Sequence, residues 1–414
     1  MVQLSADPTF QYQILRALGL ASYGAADVGE VLATADQIAP GDFESFYAAF
    51  HKRAERVAAQ AARMSNPVSL RDALFRAATY YRMADLYIHG DWDDPRIPAV
   101  WDRQTDCFDR AMSLLPIPGE RRTISSLAGG FQIPTIFFRA DADSAEKRPT
   151  VIMCSGLDGS MEEMYHVHGV AALQRGYNVV CFEGPGQVFT RRSQGLGFIL
   201  EWERVVSPVV DHVETLPGVD TARVALLGYS LCGLLCARAA AFEPRLAALF
   251  CVDGMFDMAR TPIFPIASAM AHQKLAPAVD VDANADPTAA ATAAMQAIQA
   301  TMRDPNVPTT LRWALSHCRW AFNVRSPLQL LEILKRFTIA DVVDRIRCPV
   351  LVCDAVEDHF AKGQAKMVAD ALGDRATHVE FTREDAAEQH CHLGAARFAN
   401  HVIYDWFEGV VVKK

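Results

Sequence analysis

The chain has 414 residues, 51% of them hydrophobic and 21% charged, with a formal net charge of −9. That length allows a large core with additions around it, and the composition is that of a soluble globular protein. The acidic balance argues against a nucleic-acid partner or an anionic membrane surface. No basic, apolar leader opens the chain, and its longest apolar stretch is broken by Arg238, which makes it core and not a membrane span.

Residues 1–118 read as a helical domain. Segment 43–64 carries Phe46, Phe50, Ala54 and Val57 at helical spacing, and 70–89 carries Leu74, Ala77, Ala78, Tyr81 and Leu86. Ser69 is placed to cap the second segment. A turn at 91–95 precedes a third helix over 97–115. From 119 to 257 the pattern changes to a catalytic core, first part. A hairpin is expected at 121–139, then strands at 149–154, 177–182, 224–227 and 246–252, with helices at 162–174, 200–216 and 231–242. Segment 258–347 reads as a helical cap insertion, with an Ala-rich helix at 287–302 capped by Asp286 and further helices at 312–322 and 328–337. The second part of the core, 348–414, resumes with strands at 349–353 and 377–381 and helices at 363–372 and 393–407. Strands alternating with helices imply an α/β fold with a mostly parallel sheet and chemistry beyond the carboxyl ends of its strands.

The chemistry centres on Gly228-Tyr-Ser-Leu-Cys-Gly233. A buried strand, a glycine break and a helix former on either side of Ser230 make the strand–turn–helix context of a nucleophile elbow, where the N–H of Leu231 faces a developing oxyanion. The usual second glycine is replaced by Cys232, with Gly233 one position later. An elbow serine needs a base and an orienting carboxylate, in the chain order Ser, Asp or Glu, His. Asp358 follows the resumed strand and is the first candidate; Asp354, Glu357 and Asp253 are alternatives. His390 lies on the loop after the last strand and is preferred to His392, which falls closer to a helix. A second oxyanion donor is expected from Gly156-Leu157, after the 149–154 strand. Glu162 and Glu163 just beyond are either first-turn partners of a helix or carriers of a substrate proton. His166 and His168 are close enough in sequence to face substrate. Trp313, Trp320 and Phe322 crowd the cap and favour an apolar substrate. The His-Cys-His triplet at 390–392 lacks a fourth ligand nearby, so no metal is expected. Ten cysteines without a Cys-x-x-Cys pair point to buried thiols and a reducing, cytoplasmic compartment.

Several segments carry a resemblance. Arg76-Ala-Ala-Thr-Tyr-Tyr-Arg-Met-Ala-Asp-Leu-Tyr87, Gly156-Leu-Asp-Gly-Ser-Met-Glu-Glu163, Phe182-Glu-Gly-Pro-Gly-Gln187, the elbow and Glu388-Gln-His-Cys-His392 resemble the α/β-hydrolase family of 2,6-dihydroxypseudooxynicotine hydrolase and the fungal heptaketide hydrolase of melanin synthesis. Glu183 and Cys232 depart from its pattern, where Asp and Gly stand. The resemblance implies a Ser230–Asp358–His390 triad, no metal or organic cofactor, a site covered by helices, a homodimer, and hydrolysis of an ester or of a carbon–carbon bond beside a carbonyl. The same triad would also serve an acyltransferase or cyclase. A silent binding protein of the same fold, or a nucleophilic Cys232, are the remaining readings.

Overall fold

The computed structural model describes residues 2–142, 145–270, 296, 300, 301, 304 and 306–413. Five helices come first: α1 (Pro8–Gly19), α2 (Val28–Ala35), α3 (Phe43–Ala61), α4 (Pro67–Asp85) and α5 (Arg96–Ser113). The first four begin at Asp7, Asp27, Asp42 and Asn66, whose side-chain oxygens accept from the first free N–H groups of each helix. The α4 start therefore differs from the expected Ser69 cap. Asn66 caps instead, because Pro67 is pre-set for the first helical position.

Eight strands form one sheet among the described residues: β1 (Glu120–Ser126), β2 (Phe131–Phe138), β3 (Arg148–Cys154), β4 (Asn178–Phe182), β5 (Val219–Tyr229), β6 (Ala248–Val252), β7 (Val350–Ala355) and β8 (Ala376–Phe381). Their order is β1-β2-β4-β3-β5-β6-β7-β8. The β1–β2 hairpin and the β2–β4 pair are antiparallel; β4 onward is parallel. Between the strands run α6 (Met161–Met164), α7 (Val170–Leu173), α8 (Val188–Gln194), α9 (Glu203–Glu214) and α10 (Leu231–Ala240). A π turn at Tyr165–Gly169 joins α6 to α7. Helix α8 follows the Gly-Pro-Gly-Gln turn, in a stretch given no assignment from sequence. In the segment 258–347, Ile263–Met270, Thr309–Ala321 and Pro327–Leu334 are helical; Gln364–Leu372 lies between β7 and β8, and Ala396–Phe407 follows β8. The helix expected at 287–302, with its Asp286 cap, lies outside the described residues apart from positions 296, 300 and 301, which are helical.

Side chains alternate across the sheet and build two cores. One joins Val151, Met153, Leu227 and Phe250 to Phe10, Phe46, Phe50 and Tyr80 of the first helices and to Ile403 and Phe407. The other joins Ile152, Leu226, Leu249 and Val352 to Val205 and Val209 of α9, Leu234 and Leu235 of α10, and Trp320 and Phe337 of the cap. The amino-terminal helices thus share apolar packing with the sheet, and helices cover both faces. This is the α/β-hydrolase fold. No helix among the described residues is long and apolar enough to cross a membrane.

Candidate active site

The loops after β3, β4, β5, β6, β7 and β8 meet at one edge of the sheet. Ser230 turns β5 into α10 with φ 56° and ψ −121°, a conformation few residues other than glycine adopt. Two backbone hydrogen bonds hold it there, from Ser230 N to Val252 O at 2.9 Å and from Gly233 N to Ser230 O at 2.7 Å. Its Oγ lies 2.7 Å from His390 Nε2, and His390 Nδ1 lies 2.6 Å from Asp358 Oδ2. A carboxylate only accepts, so Nδ1 carries the proton and Nε2 is left to accept from the serine. The other Asp358 oxygen accepts from Phe360 N and Ala361 N at 2.7 and 2.8 Å, which fixes the carboxylate against rotation.

Burial opposes charge on both partners, and their mutual attraction outweighs it. His390 is held well above the ordinary histidine value by Asp358, and Asp358 stays below the usual carboxylate range through His390 and its two backbone donors.

The alternative carboxylates are engaged elsewhere. Asp354 meets His378 Nε2 at 3.0 Å, and Glu357 pairs with Arg383 at 2.6 Å. Asp253 is close to the site, with its Oδ2 3.7 Å from His390 Nδ1. It works as a tie: Oδ1 accepts from Ala355 N at 2.8 Å and Oδ2 from Cys391 N, joining the ends of β6 and β7 to the histidine loop. Burial, then the charge of Asp358, pushes Asp253 above the usual carboxylate range, whereas Asp358 is held below it, so of the two Asp358 is the readier to carry charge beside His390. His392 points away. Its ring stacks on Phe381 at 3.8 Å and its Nδ1 meets Ala387 O at 3.2 Å.

Gly156, Leu157 and Leu231 border the serine. A Cβ on Gly156 would sit 2.9 Å from Ser230 Cβ, so only glycine lets this loop come so near. The loop is clamped from two sides. Gln187, the last residue of the Gly-Pro-Gly-Gln turn, donates to Ser155 O at 2.6 Å and accepts from Gly184 N at 2.9 Å. From the other side, Arg16 of α1 meets Asp158 at 3.0 Å, and Arg82 of α4 donates to Asp158 O.

Glu163 is not on the chamber wall. Its carboxylate takes Arg16 Nε at 2.5 Å and Nη2 at 2.6 Å, which places it as the anchor of Arg16 and corrects its expected position against substrate. Glu162 pairs with Arg121 at 2.6 Å. His166 and His168 are buried on Tyr23 O and Asn400 at 3.0 and 2.6 Å, away from the chamber. Glu183 accepts from Met161 N and Phe189 N at 3.1 and 2.7 Å, so it caps two helices.

Cys232 leaves the elbow closed. The close approach falls on Gly233, where a Cβ would sit 2.5 Å from Gly254 Cα, while the Cys232 thiol is fully buried 3.4 Å from Cys154 Sγ. Burial, with Cys154 beside it, pushes that thiol well above its usual value, so it is neither reachable nor ionised. Cys232→Ala is expected to keep turnover within about threefold and to cost about 1 kcal/mol of stability; a loss of activity to background in a folded variant would point to Cys232 as the nucleophile.

Ser230 and His390 open into a chamber of about 100 Å³ whose apolar walls include Leu157, Met255, Trp313, Phe322 and Phe360. Trp320, expected with Trp313 and Phe322, packs instead on His89 at 4.3 Å. Three wall residues, Tyr12, Gln13 and Arg16, come from α1 and were not singled out from sequence. Asp253, His390 and Cys391 place possible ligand atoms within 4.8 Å of one another, but the Asp253 oxygens already accept from backbone N–H groups and burial pushes the Cys391 thiol up to about 11. That donor set does not fit a metal.

Residues 49–304 match the family model described as "Esterase FrsA-like". Hydrolase ORFZ of Pyricularia oryzae is 30% identical over 96% of each chain. Hydrolase LUC6 of Fusarium sp is 29% identical over 99% of this chain and 98% of its own, and 20-hydroxy-prefusarin hydrolase FUS2 of Gibberella moniliformis is 28% identical over 100% and 99%. Among solved structures, 2,6-dihydroxy-pseudo-oxynicotine hydrolase matches with a TM-score of 0.65 at 20% identity, covering 95% of this chain and 96% of that one.

Proposed function

We propose that this chain, which belongs to the FrsA-like esterase family and is a hydrolase of the α/β-hydrolase fold, cleaves a largely apolar acyl compound through an acyl-enzyme on Ser230. The observation that carries this reading is the unbroken hydrogen-bonded chain Ser230–His390–Asp358 at the mouth of an apolar chamber. His390 Nε2 takes the serine proton as Oγ attacks the substrate carbonyl. The N–H groups of Leu157 and Leu231 receive the oxyanion, and their fixed direction favours the tetrahedral state over the flat ground state. The imidazolium, balanced by Asp358, then protonates the leaving group. Water repeats the sequence on the acyl-enzyme and releases the acid.

The substrate class follows from the walls. Aromatic and aliphatic side chains suit an aryl ketone or a polyketide-type acyl chain, in keeping with the printed names of 20-hydroxy-prefusarin hydrolase and 2,6-dihydroxy-pseudo-oxynicotine hydrolase. With a 1,3-dicarbonyl the carbon leaving group departs as an enolate and takes its proton from His390, giving a carboxylic acid and a ketone. Product analysis in oxygen-18 water, with an aryl 1,3-diketone and an aryl ester, tests this. One labelled oxygen in the acid product is expected. Acyl transfer to an added alcohol or amine with no acid formed would favour the transferase reading.

His390 must be neutral to accept a proton. Since Asp358 raises it, kcat/KM is expected to rise with pH through a midpoint above 6.5 and to be lost as pH falls through it. Asp358→Asn removes the charge responsible and should move that midpoint down. A midpoint unchanged by Asp358→Asn would mean another group sets it.

A further inference from the structure

Helix α1 turns one polar edge into an otherwise apolar chamber, through Tyr12, Gln13 and Arg16. These differ in what they have left to offer a ligand. Arg16 gives Nε and Nη2 to Glu163, and Nη1 to Asp158 at 3.0 Å and to Gln13 Oε1 at 3.3 Å. Its charge is offset by those two carboxylates, so an anionic ligand gains little from it. The Tyr12 hydroxyl is directed at His390 O at 3.4 Å. Gln13 is different. It is 2% exposed, and its carbonyl is committed to Arg16, which leaves its NH2 turned the other way with no acceptor among the described residues. That NH2 keeps access to the chamber, so a ligand oxygen entering there can accept from it.

We infer that Gln13 is a specificity-determining residue, whose amide NH2 binds a second, uncharged carbonyl oxygen of the substrate, distinct from the carbonyl attacked by Ser230. This rests on the serine-hydrolase reading above and deepens it by naming what the acyl group carries. Arg16, locked by Glu163 and Asp158, fixes the Gln13 amide, so the donor is in place before substrate arrives. Because the wall carries no net positive charge there, a ketone or amide oxygen is preferred to a carboxylate. The same Asp158 belongs to the loop of Gly156 and Leu157, which couples the position of this donor to that of the oxyanion N–H groups through one ion pair.

The test compares p-nitrophenyl pentanoate with its 3-oxo and 4-oxo analogues on the full chain. Wild type is expected to favour one oxo ester by about tenfold or more in kcat/KM, since a site built around a donor discriminates against the analogue lacking the acceptor. In Gln13→Leu, and in Gln13→Glu, which keeps the acceptor for Arg16 but removes the NH2, that ratio is expected to fall to near one. The ratio is the readout, so a loss common to both esters does not enter it. No preference in wild type, or a preference that survives both substitutions, overturns the assignment. Absence of both ester turnover and a fluorophosphonate adduct on Ser230 would instead overturn the serine-hydrolase reading, and the assignment with it.

Discussion

Replacing Ser230 by alanine is expected to lower kcat by about 10⁴-fold to 10⁶-fold while the protein stays folded. The size of the effect follows from the proposed role: in that mechanism no acyl-enzyme forms without Oγ, and the proposed oxyanion N–H groups and the chamber are left to act on water alone. The fold should survive because the backbone at φ 56° is held by its bonds to Val252 and Gly233, which alanine retains. Steady-state kinetics with thermal unfolding of the same sample checks both halves. A variant retaining a tenth of native turnover would remove Ser230 from the chemistry.

The second large effect is on stability. Arg16→Leu is expected to cost about 3–5 kcal/mol, because it leaves the Glu163 carboxylate buried without its counter-charge and Asp158 with Arg82 alone, at 3.8 Å. Denaturant unfolding at pH 7 measures this. Burial works to raise Asp158, but Arg16 and Arg82 outweigh it and hold the carboxyl below the usual range. A depressed folded value means stability that is present above the unfolded carboxyl value and lost as pH falls through the folded one. In Arg16→Leu the Arg16 share of this contribution is gone at neutral pH, and the Arg82 share remains. The deficit relative to wild type should therefore shrink as pH falls below about 4, the unfolded carboxyl range, toward the depressed folded value of Asp158. A deficit independent of pH would mean that lost packing, not charge, dominates. Slower turnover is expected alongside, since Asp158 belongs to the Gly156–Leu157 loop.

Much of this site is legible in the residues. The alternation of apolar runs with helical segments marks β3 to β8, the hairpin pattern marks β1 and β2, and Ser230 stands between a β-run and an Ala-rich helix in the context of an elbow. Chain order then separates Asp358 and His390 from most other acids and histidines. It does not separate Asp358 from Asp253, because both follow core strands. Their difference is one of register, 2.6 against 3.7 Å to the same nitrogen, and of what else each oxygen accepts. Helix α1 escapes notice for a physical reason. From Thr9 to Ala17 all but Gln11 are buried, and nothing within this segment marks Gln13 and Arg16 as polar residues of a chamber built by distant loops. Its partner, Glu163, lies 147 residues away. For the same reason Glu163 reads as an acid near substrate when only its own helix start is in view. Cys232 reads as a defect in the elbow because the close backbone approach is not visible in sequence; it falls one residue later, at Gly233.

Intact mass after treatment with a fluorophosphonate, on wild type and on Ser230→Ala, tests the activated serine on which all of this chemistry depends. One adduct on the native protein, absent from the folded variant, is the predicted result. No adduct on folded native protein, or an adduct that persists in Ser230→Ala, would contradict it.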